Sequence, residues 1–393
     1  VWLRLAASIP SDLRGQVERS MIAADAEFLL NLVLSPRLEP IRPTAILMLM
    51  PFSSAFLYES IRYTKRERPE SLRELRSHQH LLRASRMRMK LLDGDPRTLD
   101  ELLAEADELV AIVKDMFMRD HRGLLGPLKR LLQKDVGIHF IREEVVGTIH
   151  VALLNAGITG RTLSGLSWDD LNQYLYDTSV GFGTDTAQLL SELGILEGLD
   201  IDSYASESAP EQPVPPPRYC DRRSEAFYGF VARQAAPGRA GGGVVLMSIL
   251  SQVNTARVVV PLLAEQNEIA AFKIRLVSLF HAAVSLQNLL DKDRRTPFLH
   301  PDAVQRLRTM LGTEVIRRVR RRKALRNTLV HYRIEDHVAE RLSPGSPLFG
   351  LVEAFTSGRS LDAIAEEVEL GLNRVSEGLF SMLPQPLTPQ GTL

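Results

Sequence analysis

Apolar residues recur at helical spacing along most of this chain, and runs of alternating β-branched residues are scarce. That periodicity favours helix packed on helix and leaves little material for a sandwich, a barrel or a parallel sheet. Thr98-Leu99-Asp100-Glu101 opens one amphipathic helix, with Leu102, Leu103, Leu109, Val110 and Val113 as its apolar positions. Thr98 serves as N-cap and the acidic residues fall in the first turn, where the helix dipole favours them. Ser167-Trp168-Asp169-Asp170 opens a second helix in the same way, and a third runs from Thr184 to Leu193 and stops at Gly194. The predicted class is all-α.

At 393 residues the chain is too long for one small domain. Between Asp202 and Pro217 it reads DSYASESAPEQPVPPP, a stretch with nothing to bury and prolines that favour an extended spacer. The expected organisation is an N-terminal helical domain over 1–201, a linker over 202–221 and a C-terminal helical domain over 222–393. In the C-terminal part, helices are expected near Arg222–Gln234, over Ala271–Leu290, over Thr313–Tyr332 and from Ser360 to Met382. An up-and-down bundle of four or five helices would bury their apolar faces. Pro237–Gly243 (PGRAGGG) lacks the Gly-Lys-Ser/Thr ending of a phosphate-binding loop and follows no clear strand, so a flexible connection is expected there.

Lysine plus arginine equals aspartate plus glutamate at 48 each, so net charge selects no partner and local distribution must. Cys220 is the only cysteine, which rules out an intrachain disulfide and a cysteine cage for a metal. A reducing, cytoplasmic setting is the resulting expectation. Val1-Trp2-Leu3-Arg4-Leu5 lacks the regions of a signal peptide, and the longest apolar run, Ala45 to Tyr58, contains Pro51, Ser53 and Ser54. That run is too short to span a bilayer and is expected to be a buried core helix, with no membrane partner. No metal or cofactor is expected.

The chemistry concentrates in Arg326-Asn327-Thr328-Leu329-Val330-His331, at the end of a segment dense in arginine. A guanidinium grips phosphate through a rigid fork of donors, and an imidazole exchanges a proton near neutral pH. On one continuous helix, Arg320, Lys323, Asn327 and His331 share a polar stripe, while Val315, Val319, Leu325, Leu329 and Val330 form an apolar arc. Arg326 falls inside that arc, about 140° from His331. Either it is a buried structural arginine serving a carboxylate such as Glu366 or Glu367, or its side chain reaches a site shared with another helix or protomer. The run Arg317, Arg318, Arg320, Arg321, Arg322 and Lys323 also has the look of a solvated charged face.

Leu325-Arg326-Asn327-Thr328-Leu329-Val330-His331 resembles the signature of HEPN domains: an arginine, a polar residue, a few positions, then a histidine. The resemblance extends to a loop, Leu351-Val352-Glu353, and a last helix from Ser360 to Met382, and covers Arg222 to Met382. It implies an all-α HEPN-like bundle, commonly dimeric, with arginines and histidines of two protomers meeting in a metal-independent RNase site. Many members of the family serve in toxin–antitoxin, antiphage or RNA-processing systems, and others only bind RNA or further partners. The implied roles are His331 as general base or acid, Arg326 stabilising phosphate charge, and Asn327 orienting His331 or bonding substrate. Arg317, Arg320, Arg322 and Lys323 would hold flanking phosphates. RNA, a second copy of the chain and an antitoxin or regulatory protein are the implied partners. Tyr332 follows the histidine directly, and Arg333 stands where some toxin members carry a tyrosine. The alternative is a non-catalytic helical scaffold, or an RNA-binding module, in which Arg326 is structural.

Three further segments carry weaker signals. Arg62 to Lys90 is strongly basic and is followed by the acidic stretch Asp93–Asp115, so the two are expected to pair as neighbouring helices rather than form an RNA track. His139, Glu143 and His150 fall near one face of an expected helix, but in no known metal-ligand spacing, and read as core or boundary residues. Leu166–Leu196 suggests two short helices, loosely like the end of a winged helix. Gly165–Asp200 holds no lysine or arginine, which speaks for packing or protein contact.

Overall fold

The computed structural model describes residues 13–67, 85–86, 88–89, 96–120, 134–193, 214–231, 239–263, 267–384, 387 and 391–392. Long helices dominate them. The N-terminal half supplies α1 (Leu13–Leu34), α2 (Arg42–Glu67) and α3 (Pro96–Asp120). The chain then forms β1 (Val136–Ile141), β2 (Glu144–Thr148), α4 (Ile149–Asn155) and α5 (Trp168–Glu192). After β3 (Arg218–Arg222) come α6 (Arg239–Val258), α7 (Glu268–Arg295), α8 (Pro301–Leu311), α9 (Glu314–Arg321), α10 (Lys323–His331), α11 (Leu361–Phe380) and β4 (Gly391–Thr392).

The fold is mostly helical, as expected, but it includes a small antiparallel sheet with strand order β2-β1-β3-β4. The segment read as a helix carrying His139, Glu143 and His150 is a β-hairpin followed by α4. Arg142 and Glu143 both take positive φ (49° and 66°), the left-handed pair that a tight two-residue hairpin turn demands. The three residues therefore do not converge. Glu143 pairs with Arg218, and the buried His150 Nδ1 lies 3.0 Å from the Tyr228 hydroxyl. The last residues of the expected linker, Arg218–Asp221, belong to β3; residues 202–213 lie outside the described set.

The two sequence halves share one hydrophobic core. Helix α6 packs on α3 and β2 from the first half and on α7 and α11 from the second, while α1 packs on α7. Division at 202–221 thus does not separate two cores. The glycines of PGRAGGG explain part of this. Gly241–Gly243 lie inside α6, and a Cβ at Gly241 would overlap the Leu103 carbonyl, one at Gly243 the Tyr228 backbone. Their role is close packing, with Gly241 meeting the first half and Gly243 its own, and Asp107 Oδ1 accepts from Gly241 N at 2.7 Å.

Leu166–Glu192 is likewise one structure where two short helices were expected. Ser167 and Asp170 close a capping box, and α5 then continues unbroken to Glu192; residues 194–196 lie outside the described set. Helix α2 passes through Pro51, which has no N–H to return to the Leu47 carbonyl. Asn155 Nδ2 reaches that oxygen instead, at 3.4 Å. By length and composition α2, Ala240–Leu263 and α7 could each cross a membrane; here 94%, 94% and 78% of their apolar windows are buried against other parts of the protein.

The arginine segment is not one helix. It breaks at Arg322 (φ −86°, ψ 34°), which separates α9 from α10. The break lets each piece bury its own apolar residues, Val315, Ile316 and Val319 in α9, Leu325, Leu329 and Val330 in α10. It also dissolves the continuous polar stripe from Arg320 to His331.

Candidate functional site

Helix α10 carries the motif, and its two reactive residues face different neighbours. Arg326 is 4% exposed; its guanidinium lies 4.6 Å from the centre of the Phe280 ring on α7 and donates to Asn327 Oδ1 at 2.8 Å. Asn327 therefore serves the arginine rather than orienting the histidine. His331 faces α2, with Nδ1 3.1 Å from Glu59 Oε2, and keeps about a third of its side chain exposed (31%). Within one chain Arg326 and His331 do not meet.

The expected phosphate-binding residues are engaged elsewhere. Arg322 contacts Glu367 at 2.9 Å, and Arg318 and Arg359 reach the same carboxylate at 3.3 and 2.5 Å. Glu367 is the buried acid that the sequence offered to Arg326, and these three arginines take it. Burial alone would push its carboxyl up, but Arg322 and Arg359 outweigh that and hold it below the usual carboxylate range. Arg320 donates to Gln287 at 3.2 Å, Arg317 pairs with Glu314 at 2.8 Å, and Lys323 is exposed.

His331 opens onto a cleft of about 780 Å³ between α1, α2 and the chain just after α10. Arg14 and Glu18 line it from α1, Glu59, Arg62, Tyr63, Arg66 and Glu67 from α2, and Arg333 from beyond the motif. Four arginines face three glutamates, so the walls favour an anion by a small margin. Most of these arginines are already paired. Arg66 contacts Glu18 at 3.0 Å and Glu67 at 2.9 Å, Arg62 contacts Glu59 at 3.3 Å, and Arg14 contacts Asp336 at 2.7 Å. Arg333 makes no ion pair among the described residues. Glu59 is 2% exposed and also receives Arg86 at 2.6 Å. Burial pushes its carboxyl up, and His331, Arg86 and Arg62 together more than offset this, so it stays ionised.

Behind His331 the backbone turns left-handed at Tyr332 (φ 47°, ψ 42°), which ends α10 and buries the tyrosine completely. The Tyr332 hydroxyl donates to Asp25 Oδ2 on α1, and Lys273 Nζ on α7 donates to the same oxygen. The ammonium also lies 4.3 Å from both the Phe56 and Tyr332 ring centres. Ile334 N donates to Glu18 Oε1 at 3.1 Å, so the chain on both sides of Arg333 is fastened to α1.

Sequence reasoning found His331 and missed its surroundings. Arg62 and Arg66 stood in the basic stretch and Glu59 closed the apolar run, but nothing local signalled that they would face residue 331. The pairing expected of that basic stretch is visible in Arg88–Glu105 at 2.5 Å; residues 68–84, 87 and 90 lie outside the described set. No protein-family model, no curated protein and no solved structure matches this chain.

Proposed function

We propose that this chain is a metal-independent endoribonuclease of HEPN type, with His331 as the group that moves the proton. One observation carries the reading: His331 lines a cleft, with the buried Glu59 carboxylate 3.1 Å from Nδ1 and arginines on the same walls. Glu59, 3.1 Å from Nδ1, balances the imidazolium charge, which leaves Nε2 for substrate. His331 takes the proton of a ribose 2′-hydroxyl as that oxygen attacks the adjacent phosphorus and the 5′-oxygen leaves. Arg62, Arg66 and Arg333 neutralise the phosphate oxygens. The products are a 2′,3′-cyclic phosphate and a 5′-hydroxyl, and DNA is refused for want of the attacking group. In a homodimer with facing clefts, the imidazole of a second copy would protonate the leaving oxygen. Service in defence or in a toxin–antitoxin pair is part of the same proposal.

A second reading, an RNA-binding or scaffold protein without cleavage, is favoured by the burial of Arg326 against Phe280, where a guanidinium acts as packing. The test is incubation of a mixed tRNA and mRNA pool, with EDTA present, with wild type and His331→Ala. Cleavage to cyclic phosphate ends that is lost in the variant supports the nuclease. RNA retained but uncut by both supports the second reading, and equal cutting by both sinks the role of His331.

A further inference from the structure

A second cleft, of about 870 Å³, lies at the other end of α2. It is lined by Leu47 and Met48 of α2, whereas the His331 cleft begins at Glu59 and Arg62. The nearest of these, Met48 and Glu59, are about 16 Å apart along the helix, so the two clefts are separate.

Its floor is one face of the sheet. Gly137 pairs across the strands with Asp221, and His139 pairs with Tyr219, so these four residues sit together on a single face. Helix α5 forms the opposite wall with Trp168, Asn172 and Tyr176, and Lys134 stands at the start of β1. Tyr176 is half exposed (51%), unusual for so large a ring.

Two features mark this cleft as built for a ligand. First, the glycine leaves a gap between two polar groups: a Cβ there would lie 3.6 Å from His139 Nε2 and 3.9 Å from Asp221 Oδ1. Glycine in mid-strand weakens a sheet and is common where something must approach the backbone closely. Second, among the described residues the side chains of His139 and Asp221 make no hydrogen bond, Asp221 has only the nearby charges of Lys134 and Arg222 beside it, and His139 Nδ1 is buried without a partner. Burial pushes the His139 imidazole down to about 4 and the Asp221 carboxyl up, so the cleft offers a neutral ring and an acceptor that lack their usual solvation.

We infer that this cleft binds a nucleotide, its planar ring among Trp168, Tyr176 and Tyr219 and its N–H edge on Asp221 and His139 above Gly137, with Lys134 taking the phosphate. Aromatic side chains hold any base by its face, and a carboxylate beside a neutral imidazole suits a ring edge that both donates and accepts. The chemistry is that of a free mononucleotide or of one base of a strand. It is independent of the catalytic reading of His331.

Trp168 reports on the site directly. In a full-length Trp2→Phe chain it is the remaining tryptophan, and its fluorescence, excited away from nucleotide absorption, is titrated with the four ribonucleoside monophosphates, inorganic phosphate and a short single-stranded RNA. Saturable quenching by at least one mononucleotide, or by the RNA alone, is expected, and the choice between those arms identifies the source of the ring. Gly137→Val, whose Cβ meets only ordinary contacts, fills the gap and should weaken binding about tenfold or more with an unchanged melting temperature. Asp221→Asn is the second variant should valine disturb the sheet, and should weaken binding by a similar factor. No saturable quenching by any nucleotide or RNA, equal quenching by phosphate alone, or unchanged affinity in Gly137→Val with intact folding overturns the inference.

Discussion

Replacing Lys273 by methionine isolates the energetics of the polar cluster beneath the candidate site. Lys273 is fully buried and Asp25 is 2% exposed, so the pair is almost wholly out of water. Methionine keeps the length and apolar stem of lysine but leaves Asp25 with the Tyr332 hydroxyl as its remaining donor, while Asp25 Oδ1 already lacks a partner among the described residues. Breaking a buried pair from one side costs about 3–5 kcal/mol, because a charge is stranded rather than because a bond is lost. At an m-value of about 3 kcal/mol/M this moves the urea midpoint down by roughly 1–1.7 M. The sign with pH follows from Asp25, whose carboxyl burial already pushes up and which loses its opposing cation in the variant. A carboxyl with a folded-state pKa above its unfolded value contributes stability when protonated and loses it as pH rises through that pKa. The deficit of Lys273→Met should therefore be largest at pH 7 and shrink toward pH 5. Asp25→Leu added to it should recover most of the loss. A deficit under about 1 kcal/mol at pH 7, the scale of an exposed ion pair, or a double variant no better than the single, would refute the reasoning.

Glu59→Gln keeps shape but removes the charge behind His331, and should lower the cleavage rate about 10–100-fold with little change in RNA affinity, measured by single-turnover kinetics. Burial lowers the His150 imidazole from 6.5 to about 4. Such a group stabilises the fold above its unfolded pKa and loses that stability as pH falls, so roughly 3 kcal/mol should disappear between pH 6.5 and 4 in urea titrations. His150→Phe should flatten that slope. Glu367→Ala leaves Arg318, Arg322 and Arg359 converging on nothing at the α9–α11 contact, and should cost about 2 kcal/mol by thermal or urea unfolding, discounted for the partial exposure of Arg318 and Arg359.

Helical periodicity gave the long elements well. The Ser167 start, the apolar runs that became α2 and α7, and the last helix from Ser360 follow local patterns that the structure keeps, whereas the helix expected to be capped by Thr98 begins at Pro96 and takes Thr98 into its first turn. Errors arose where tertiary contacts outweighed local ones. His139-to-His150 scans as a helix face, but Arg142 and Glu143 accept left-handed backbone because β3 waits to pair with β1, and β3 comes from the end of a stretch that looked like linker. PGRAGGG looked like a flexible loop because its glycines carry no pattern; their meaning lies in the Tyr228 backbone and in Leu103, which is distant in sequence. For the candidate site, His331 was legible and its partners were not. Glu59, Arg62 and Arg66 come from a helix more than 250 residues earlier, and no spacing rule reaches across that distance.

The geometry of α10 gives a physical reason why its arginine and histidine part company. Five positions of helix rotate the two side chains about 140° apart, and the interior has a use for each direction. Toward α7 the site is apolar, and a guanidinium is tolerated because Phe280 offers a ring face and Asn327 an acceptor. Toward α1 and α2 it is polar, because Glu18 and Glu59 bring buried carboxylates that need cations. Tyr332 then fixes the boundary. A left-handed non-glycine residue costs about 1–2 kcal/mol, and its complete burial and bond to Asp25 offset that cost while stopping the helix one residue after His331. Had α10 continued, Arg333 would be carried onward along the helix; instead the chain turns and Ile334 is tied to Glu18. The position of the histidine therefore depends on α1 and α2 as much as on its own helix, which is why a motif lying wholly in the C-terminal half forms its cleft only with helices from the N-terminal half.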